Sequence, residues 1–413
     1  MDARPSLSTD TLLLLPPYVF AQLERLKANA RAAGRSLIDL GIGSPDMPMA
    51  PAIVQALDAA LRDRTTHGYP PFRGAPCFLD SIGRFMRSRF GVEIDPMRQA
   101  IAVSGAKEGI AQMVMTVCGS GDLALIPEIY YPVYARSAWL VGANVKWIPM
   151  RAKEKFVLDL DAVPEEDARA ARLMIVNYPN NPTGARVDKD FYIRLVEFAR
   201  RFDILLISDL AYSEFSFETE QVPSALEADQ DCATTIEFHS CSKSFNMAGL
   251  RIGFAAGSPR AIEALAAYRT NVGYGTPTAL QHAAAYALDH YKELSAPTMR
   301  EYAWRRDRML ACFARAGWPV STPRGSMYLW LPVPAGLDDW AWTTTLLDRD
   351  GIVVTPGLAF GQGGCGFFRI SLVCDAETLE SAAYSIATRR QEMTCSNERL
   401  GVSTVAMRRH ASQ

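Results

Sequence analysis

Lys243 stands between two serines in the stretch EFHSCSKSFNMAGLRIGFAAG (237–257), with Arg251 eight residues on and apolar, strand-like runs on either side. A lysine so placed is a candidate nucleophile, because an amine drawn out of water loses its proton readily and can condense with a carbonyl. Two other polar groups also follow apolar runs: Asn181 in NYPNNPTG after LMIV, and Asp209 with Tyr212 in DLAY after LLIS. A fourth, Ala106 and Lys107 in VSGAKEG, falls at a strand-to-helix junction suited to an anion. Each has a plain structural use as well, since NNPTG makes a good turn, an aspartate can cap one, and a lysine between serines is commonly a solvated loop residue. As a set they answer the needs of pyridoxal phosphate. A lysine amine bonds its aldehyde, an acid pairs with its pyridinium nitrogen, and Ser240, Ser242, Arg251 and a helix N-terminus take its phosphate.

The elements that must carry these residues show as an alternation beginning near residue 100. AIAVSG, DLALIPE, ARLMIVNYP, DILLISD and TIEFHS are short continuous apolar runs, while AKEGIAQMVMTVCG, YPVYARSAWLVG and KDFYIRLVEFARRF have helical spacing. Strands buried on both faces and joined by helical crossovers predict a mostly parallel sheet covered by helices. Such sheets take ligands beyond the carboxyl ends of their strands, and the groups at Asn181, Asp209 and Lys243 all fall there, so they are expected to converge on one crevice.

Bulk properties narrow the alternatives. The 413 residues, 49% of them hydrophobic, suffice for about two domains. A net charge of −2 leaves no nucleic-acid or anionic-membrane footprint. The run TLLLLPPY is too short for a membrane span and is broken by Pro16 and Pro17, and what precedes it lacks a signal-peptide layout. Eight cysteines without Cys-x-x-Cys or zinc-finger spacing predict a cytoplasmic chain with reduced thiols and no structural metal.

Read together and in order, LIDLGIGSPD, HGYPPFRG, GAKEG, YYPVY, NYPNNPTG, DLAYSE, EFHSCSKSFNMAGLRIGFA, GIVVTPGLAFG and FFRISL span nearly the whole chain. The chain resembles the class I/II aminotransferases of pyridoxal-phosphate fold type I, most closely the branch of the LL-diaminopimelate aminotransferases. The resemblance implies Lys243 as the lysine that bonds the cofactor and shuttles the proton, and Asp209 as partner of the pyridine nitrogen. It implies Asn181 and Tyr212 as donors to the ring hydroxyl, and Tyr131 as the aromatic on the ring face. Ala106, Lys107, Ser240, Ser242 and Arg251 match the phosphate cup. Tyr69 matches a tyrosine that reaches the cofactor phosphate of the neighbouring subunit, so a homodimer is implied. Arg369 matches the clamp on the substrate α-carboxylate, for which a guanidinium is well shaped, with Gly43 as a backbone contact near it and Asn181 beside it.

The same resemblance implies an α/β architecture: a large cofactor domain over 50–291, with a mostly parallel central sheet between helices, and a smaller α/β domain from 1–49 and 292–390. Residues 391–413 have no counterpart in the family pattern, and their polar composition predicts a mobile tail. The chain departs from the pattern at Ser44, Cys77, Leu79 and Tyr274, and Ser44, Phe72, Cys77 and Tyr274 are expected to shape the substrate wall. The function implied is transfer of an amino group between an α-amino acid and a 2-oxo acid, in a specialised pathway. Elimination, replacement, cyclisation or oxidation of an amino acid on the same scaffold is the alternative.

Overall fold

A computed structural model of the chain describes residues 8–399. Twelve strands run in chain order as β1 (Ile38–Asp39), β2 (Ala100–Val103), β3 (Leu123–Pro127), β4 (Asn144–Ile148), β5 (Ala171–Asn177), β6 (Leu205–Asp209), β7 (Thr235–Ser240), β8 (Gly253–Gly257), β9 (Tyr328–Pro332), β10 (Ile352–Val353), β11 (Thr355–Pro356) and β12 (Phe367–Ser371). Seven of them form one sheet in the order β2-β8-β7-β6-β5-β3-β4. Neighbours from β4 through β7 are parallel, and β8 runs against both β7 and β2. The apolar runs read from the sequence are these strands, and the helical stretches between them are Ala106–Val117, Val133–Leu140 and Lys189–Arg201.

Local chemistry explains the helix starts. Gly105 turns the chain from β2 into the helix Ala106–Val117 with φ of 88°, a conformation that costs a glycine little. Asp188 caps the helix Lys189–Arg201 by accepting the Phe191 N–H at 2.8 Å, and that helix buries Phe191, Tyr192, Leu195, Val196 and Ala199 on one face. Apolar clusters cover both faces of the large sheet, so it is the middle layer of a sandwich.

A second core gathers Leu40, Tyr302, Met309, Trp342, Ile370 and Leu379 around a three-stranded antiparallel sheet, β11-β12-β9, and the parallel pair β1-β10. Tyr212 and Phe215, which follow β6, belong to this core, so the loop after β6 is wedged between the two bodies of packing. Of the segment 391–413 expected as a tail, residues 391–399 continue the helix Ala376–Arg399, and the remainder lies outside the described residues. No helix of the described residues is long and apolar enough to cross a membrane.

Candidate active site

Strand register brings the polar ends together. Asn177 at the end of β5 is paired with Asp209 at the end of β6, which lies beside Phe238 of β7, two residues before Ser240. Beyond these ends lies a cavity of about 360 Å³. Its wall includes Gly43, Ala106, Lys107, Tyr131, Asn181, Asp209, Tyr212, Ser240, Ser242, Lys243, Arg251 and Arg369. Every residue expected to hold the cofactor or the α-carboxylate, except Tyr69, therefore faces one space.

Lys243 follows Ser240 on the short helix Cys241–Ser244. Its side chain touches the cavity but is otherwise enclosed, and its Nζ donates to the Gly43 carbonyl. Burial, then repulsion from Arg369 and Arg251, pulls the amine down to about 7 against an opposing pull from Asp209. At neutral pH a large share of this amine is therefore a free base. Asp209 is 6% exposed, and burial raises its carboxyl above the usual range. Two hydrogen bonds oppose that rise: Tyr134 Oη donates to Asp209 Oδ2 at 2.6 Å, and the Ala211 N–H donates to Oδ1 at 3.1 Å. Asn177 Nδ2 fixes the backbone by donating to the Asp209 carbonyl at 2.8 Å.

The anion-binding end is built from backbone and cations. The N-terminus of the helix Ala106–Val117 opens on the cavity next to Arg251. Arg251 donates to the carbonyls of Ala248 and Ser104, and Lys107 lies 5.9 Å from the centre of the Tyr131 ring. At Gly105 an added Cβ would collide with the Arg251 guanidinium, so this glycine also makes room for the cation.

Arg369 comes from β12 at the opposite wall and is 2% exposed. Nη1 donates to Asn181 Oδ1 at 2.8 Å and Nη2 to the Gly41 carbonyl at 2.6 Å, while Nε has no hydrogen-bond partner among the described residues. Its guanidinium also packs on the rings of Tyr328 and Phe360, at 4.2 and 4.8 Å. None of these partners is a carboxylate. A buried cation so placed calls for an incoming anion, since an unpaired buried charge is costly. The residues fit pyridoxal phosphate and an amino acid on grounds of charge alone. There is a free amine, a buried acid, one cationic pocket of phosphate character, and a second cation for a carboxylate.

Several lining residues carry no signal in the sequence reading. Tyr134, Tyr328, Asn177 and the N-terminal Tyr18, Phe20 and Glu24 all face the cavity or bond its acid. Tyr134 is the one with a local cue, standing in YYPVY three residues after Tyr131, against whose ring it packs edge-on at 6.0 Å. Ser44, Phe72, Cys77, Leu79 and Tyr274 do not line this cavity. Leu79 is core, and Tyr274 stacks on Tyr69 at 4.2 Å with Phe72 beyond it at 6.0 Å, on the surface. Tyr69 itself is 80% exposed.

The profile of aminotransferase class I and II matches residues 35–386. An LL-diaminopimelate aminotransferase of Desulforudis audaxviator is 41% identical over 89% of this chain and 94% of its own length. An LL-diaminopimelate aminotransferase of Nostoc is also 41% identical, over 89% and 95%. Among solved structures, substrate-bound BacF from Bacillus subtilis superposes with a TM-score of 0.89 at 32% identity, covering 94% of this chain and 98% of that one. A probable N-succinyldiaminopimelate aminotransferase from Thermus thermophilus gives 0.84 at 36%, covering 90% and 99%. With the amine, the acid and the two anion sites in one cavity and this agreement along the whole scaffold, the chain belongs to the class I and II aminotransferases, pyridoxal-phosphate-dependent enzymes of fold type I.

Proposed function

We propose that the protein moves an amino group between an α-amino acid and a 2-oxo acid, with Lys243 as the base that carries the α-proton. The observation that carries this reading is the enclosure of the Lys243 amine in one cavity with Asp209 and Arg369, a burial that also pulls the amine down to about 7. Pyridoxal phosphate, when bound, supplies an aldehyde that condenses with amines and a ring that accepts the electron pair left on the α-carbon. Asp209, whose burial-driven rise Tyr134 and the Ala211 N–H oppose, would be the acceptor for a proton on the pyridine nitrogen. Tyr212 and Asn181 would donate to the ring oxygen, and Tyr131 would cover a ring face, all three lining the cavity. Ala106, Lys107, Ser240, Ser242 and Arg251 bind the phosphate, the helix N-terminus and guanidinium neutralising its charge. Arg369 orients the substrate by its α-carboxylate, and Asn181 and the Gly41 carbonyl set the direction of the guanidinium. Lys243 Nζ would take the substrate α-proton as a base and, as the resulting ammonium, would give that same proton back, so that the amine is regenerated.

The same reading divides the chain into a cofactor domain, 50–291, and a small domain from 1–49 and 292–390. It is supported by the large sheet lying within residues 100–257 and by β1 pairing with β10 across more than 300 residues. It also makes the working unit a homodimer in which the exposed Tyr69 reaches a neighbour's phosphate. Seven unpaired cysteines among the described residues support a reducing, cytoplasmic setting.

The test is a half-reaction. Loaded enzyme given a cognate amino acid without acceptor should release one equivalent of 2-oxo acid per subunit and stop, then resume when 2-oxoglutarate or another 2-oxo acid is added. LL-diaminopimelate, named in the relatives above, is the first amino acid to try. Many turnovers without an acceptor would replace transfer by elimination, replacement or cyclisation.

A further inference from the structure

Tyr328 opens β9 and touches three parts of the site at once. Its hydroxyl lies 2.8 Å from Tyr212 Oη, and its ring lies against the Arg369 guanidinium at 4.2 Å. Gly43, whose carbonyl accepts from Lys243, comes so close that an added Cβ would collide with the Tyr328 hydroxyl. The side chain is 1% exposed, whereas Tyr212 is 5% exposed.

We propose that Tyr328 is a positioning residue: its hydroxyl donates to Tyr212 Oη, so that the Tyr212 proton points into the cavity, while its ring supports the Arg369 clamp. The direction follows from satisfaction of buried donors. Burial pushes the Tyr212 phenol well above its usual range, so it keeps its proton at neutral pH. Tyr328 Oη has one protein acceptor within reach among the described residues, Tyr212 Oη. Both phenols line the cavity, and Tyr328 is the less exposed residue; if Tyr212 donated to Tyr328 instead, the proton of that less exposed phenol would have no protein acceptor, an arrangement buried hydroxyls avoid. With Tyr328 as donor both protons are used, and the less buried hydroxyl presents its own to whatever oxygen enters. Gly43 is then glycine because the Tyr328 hydroxyl occupies the place of a side chain.

The proposal rests on Tyr212 and Arg369 having the roles given above, and the variants below separate the two levels. The first readout is the pH midpoint of the visible absorption of loaded enzyme, which reports the hydrogen bond to the ring oxygen independently of turnover. Removing a donor to an anionic oxygen favours its protonated form, so the midpoint should rise. Tyr328→Phe is expected to raise it by about half a pH unit or more while leaving KM for the amino acid within about twofold. Tyr212→Phe should raise it at least as far, and the double variant should match Tyr212→Phe alone, because a relay has no effect once its recipient is gone. Tyr328→Leu should additionally raise KM about tenfold by removing the ring beneath Arg369. Gly43→Ala, which displaces the hydroxyl from the other side, should move both readouts even if a Tyr328 variant folds poorly. An unmoved midpoint in Tyr328→Phe beside a moved one in Tyr212→Phe overturns the relay, as does additivity in the double variant. An unmoved midpoint in Tyr212→Phe overturns the underlying reading of Tyr212, and the relay with it.

Discussion

Lys243 behaves as its surroundings dictate. Desolvation outweighs the attraction of Asp209, so the amine is down near 7, which gives a measurable consequence in cofactor-free protein. At pH 8 about nine-tenths of an amine with that pKa is free base, against less than about 1% for an ordinary lysine. Limiting acylation at pH 8 should therefore place the label first on the peptide carrying Lys243, and the preference should fade as pH rises towards 10. A label spread evenly over the exposed lysines in the mass map would contradict this electrostatic account. The Asp209 carboxylate has the opposite problem, since burial favours its neutral form and Tyr134 opposes that by donating a 2.6 Å hydrogen bond, which favours the charged form. Tyr134→Phe is expected to weaken cofactor binding about tenfold or more, because a hydrogen bond to a charged group contributes roughly 1.5–3 kcal/mol. Equilibrium binding of the cofactor to the variant checks it, and unchanged affinity would leave Tyr134 a packing residue.

At the scale of elements, the site depends on where strands stop and helices begin. Gly105 makes the turn between β2 and the helix Ala106–Val117 at φ 88° and leaves room for Arg251, so Gly105→Ala combines backbone strain with a collision. We expect Gly105→Ala to lower cofactor affinity by about tenfold or more, the strain alone being of order 1–3 kcal/mol. The loss should be smaller for pyridoxal lacking its phosphate, which is the comparison that distinguishes a damaged phosphate pocket from general unfolding. Arg369 depends on β12 lying between β11 and β9, with Thr355 opposite it on one side and Trp330 on the other. Arg369→Lys keeps the charge but cannot hold Asn181, Gly41 and a carboxylate in one plane. Steady-state kinetics should show KM for the amino acid raised about tenfold to a hundredfold. Equal KM values would move the carboxylate site elsewhere.

The whole molecule sets the last condition. Tyr69, Tyr274 and Phe72 form a stacked, exposed row outside the chain's own cavity. Under the dimer reading this row meets a second copy and Tyr69 completes the neighbour's phosphate pocket. Sedimentation should then show a dimer, and Tyr69→Phe should shorten cofactor retention during dialysis without altering the sedimentation coefficient. Full activity in a monomer at assay concentration would exclude the shared site. The row also accounts for two of the residues expected on the substrate wall, Phe72 and Tyr274. From one chain's sequence, a residue facing its own cavity cannot be told from one facing outward.

The sequence by itself determined the central sheet, its crossover helices and the meeting of Asn181, Asp209 and Lys243. Those residues end or closely follow buried strands, and parallel strands deliver their carboxyl ends to one edge. Ordered motifs likewise pointed to Ala106, Ser240, Arg251 and Arg369, which line the same cavity. Only the tertiary structure decided which side chains hold these groups in place. Tyr328 reaches Tyr212 across 116 residues, Arg369 reaches Asn181 across 188, and Lys243 reaches Gly43 across 200. Tyr328 sits in SMYLWLP, where periodicity shows a buried strand and nothing more. Its role comes from the packing of the small sheet against the loop after β6. Side-chain partners of that kind are set by the relative placement of separately folded layers, which local propensity and spacing do not encode.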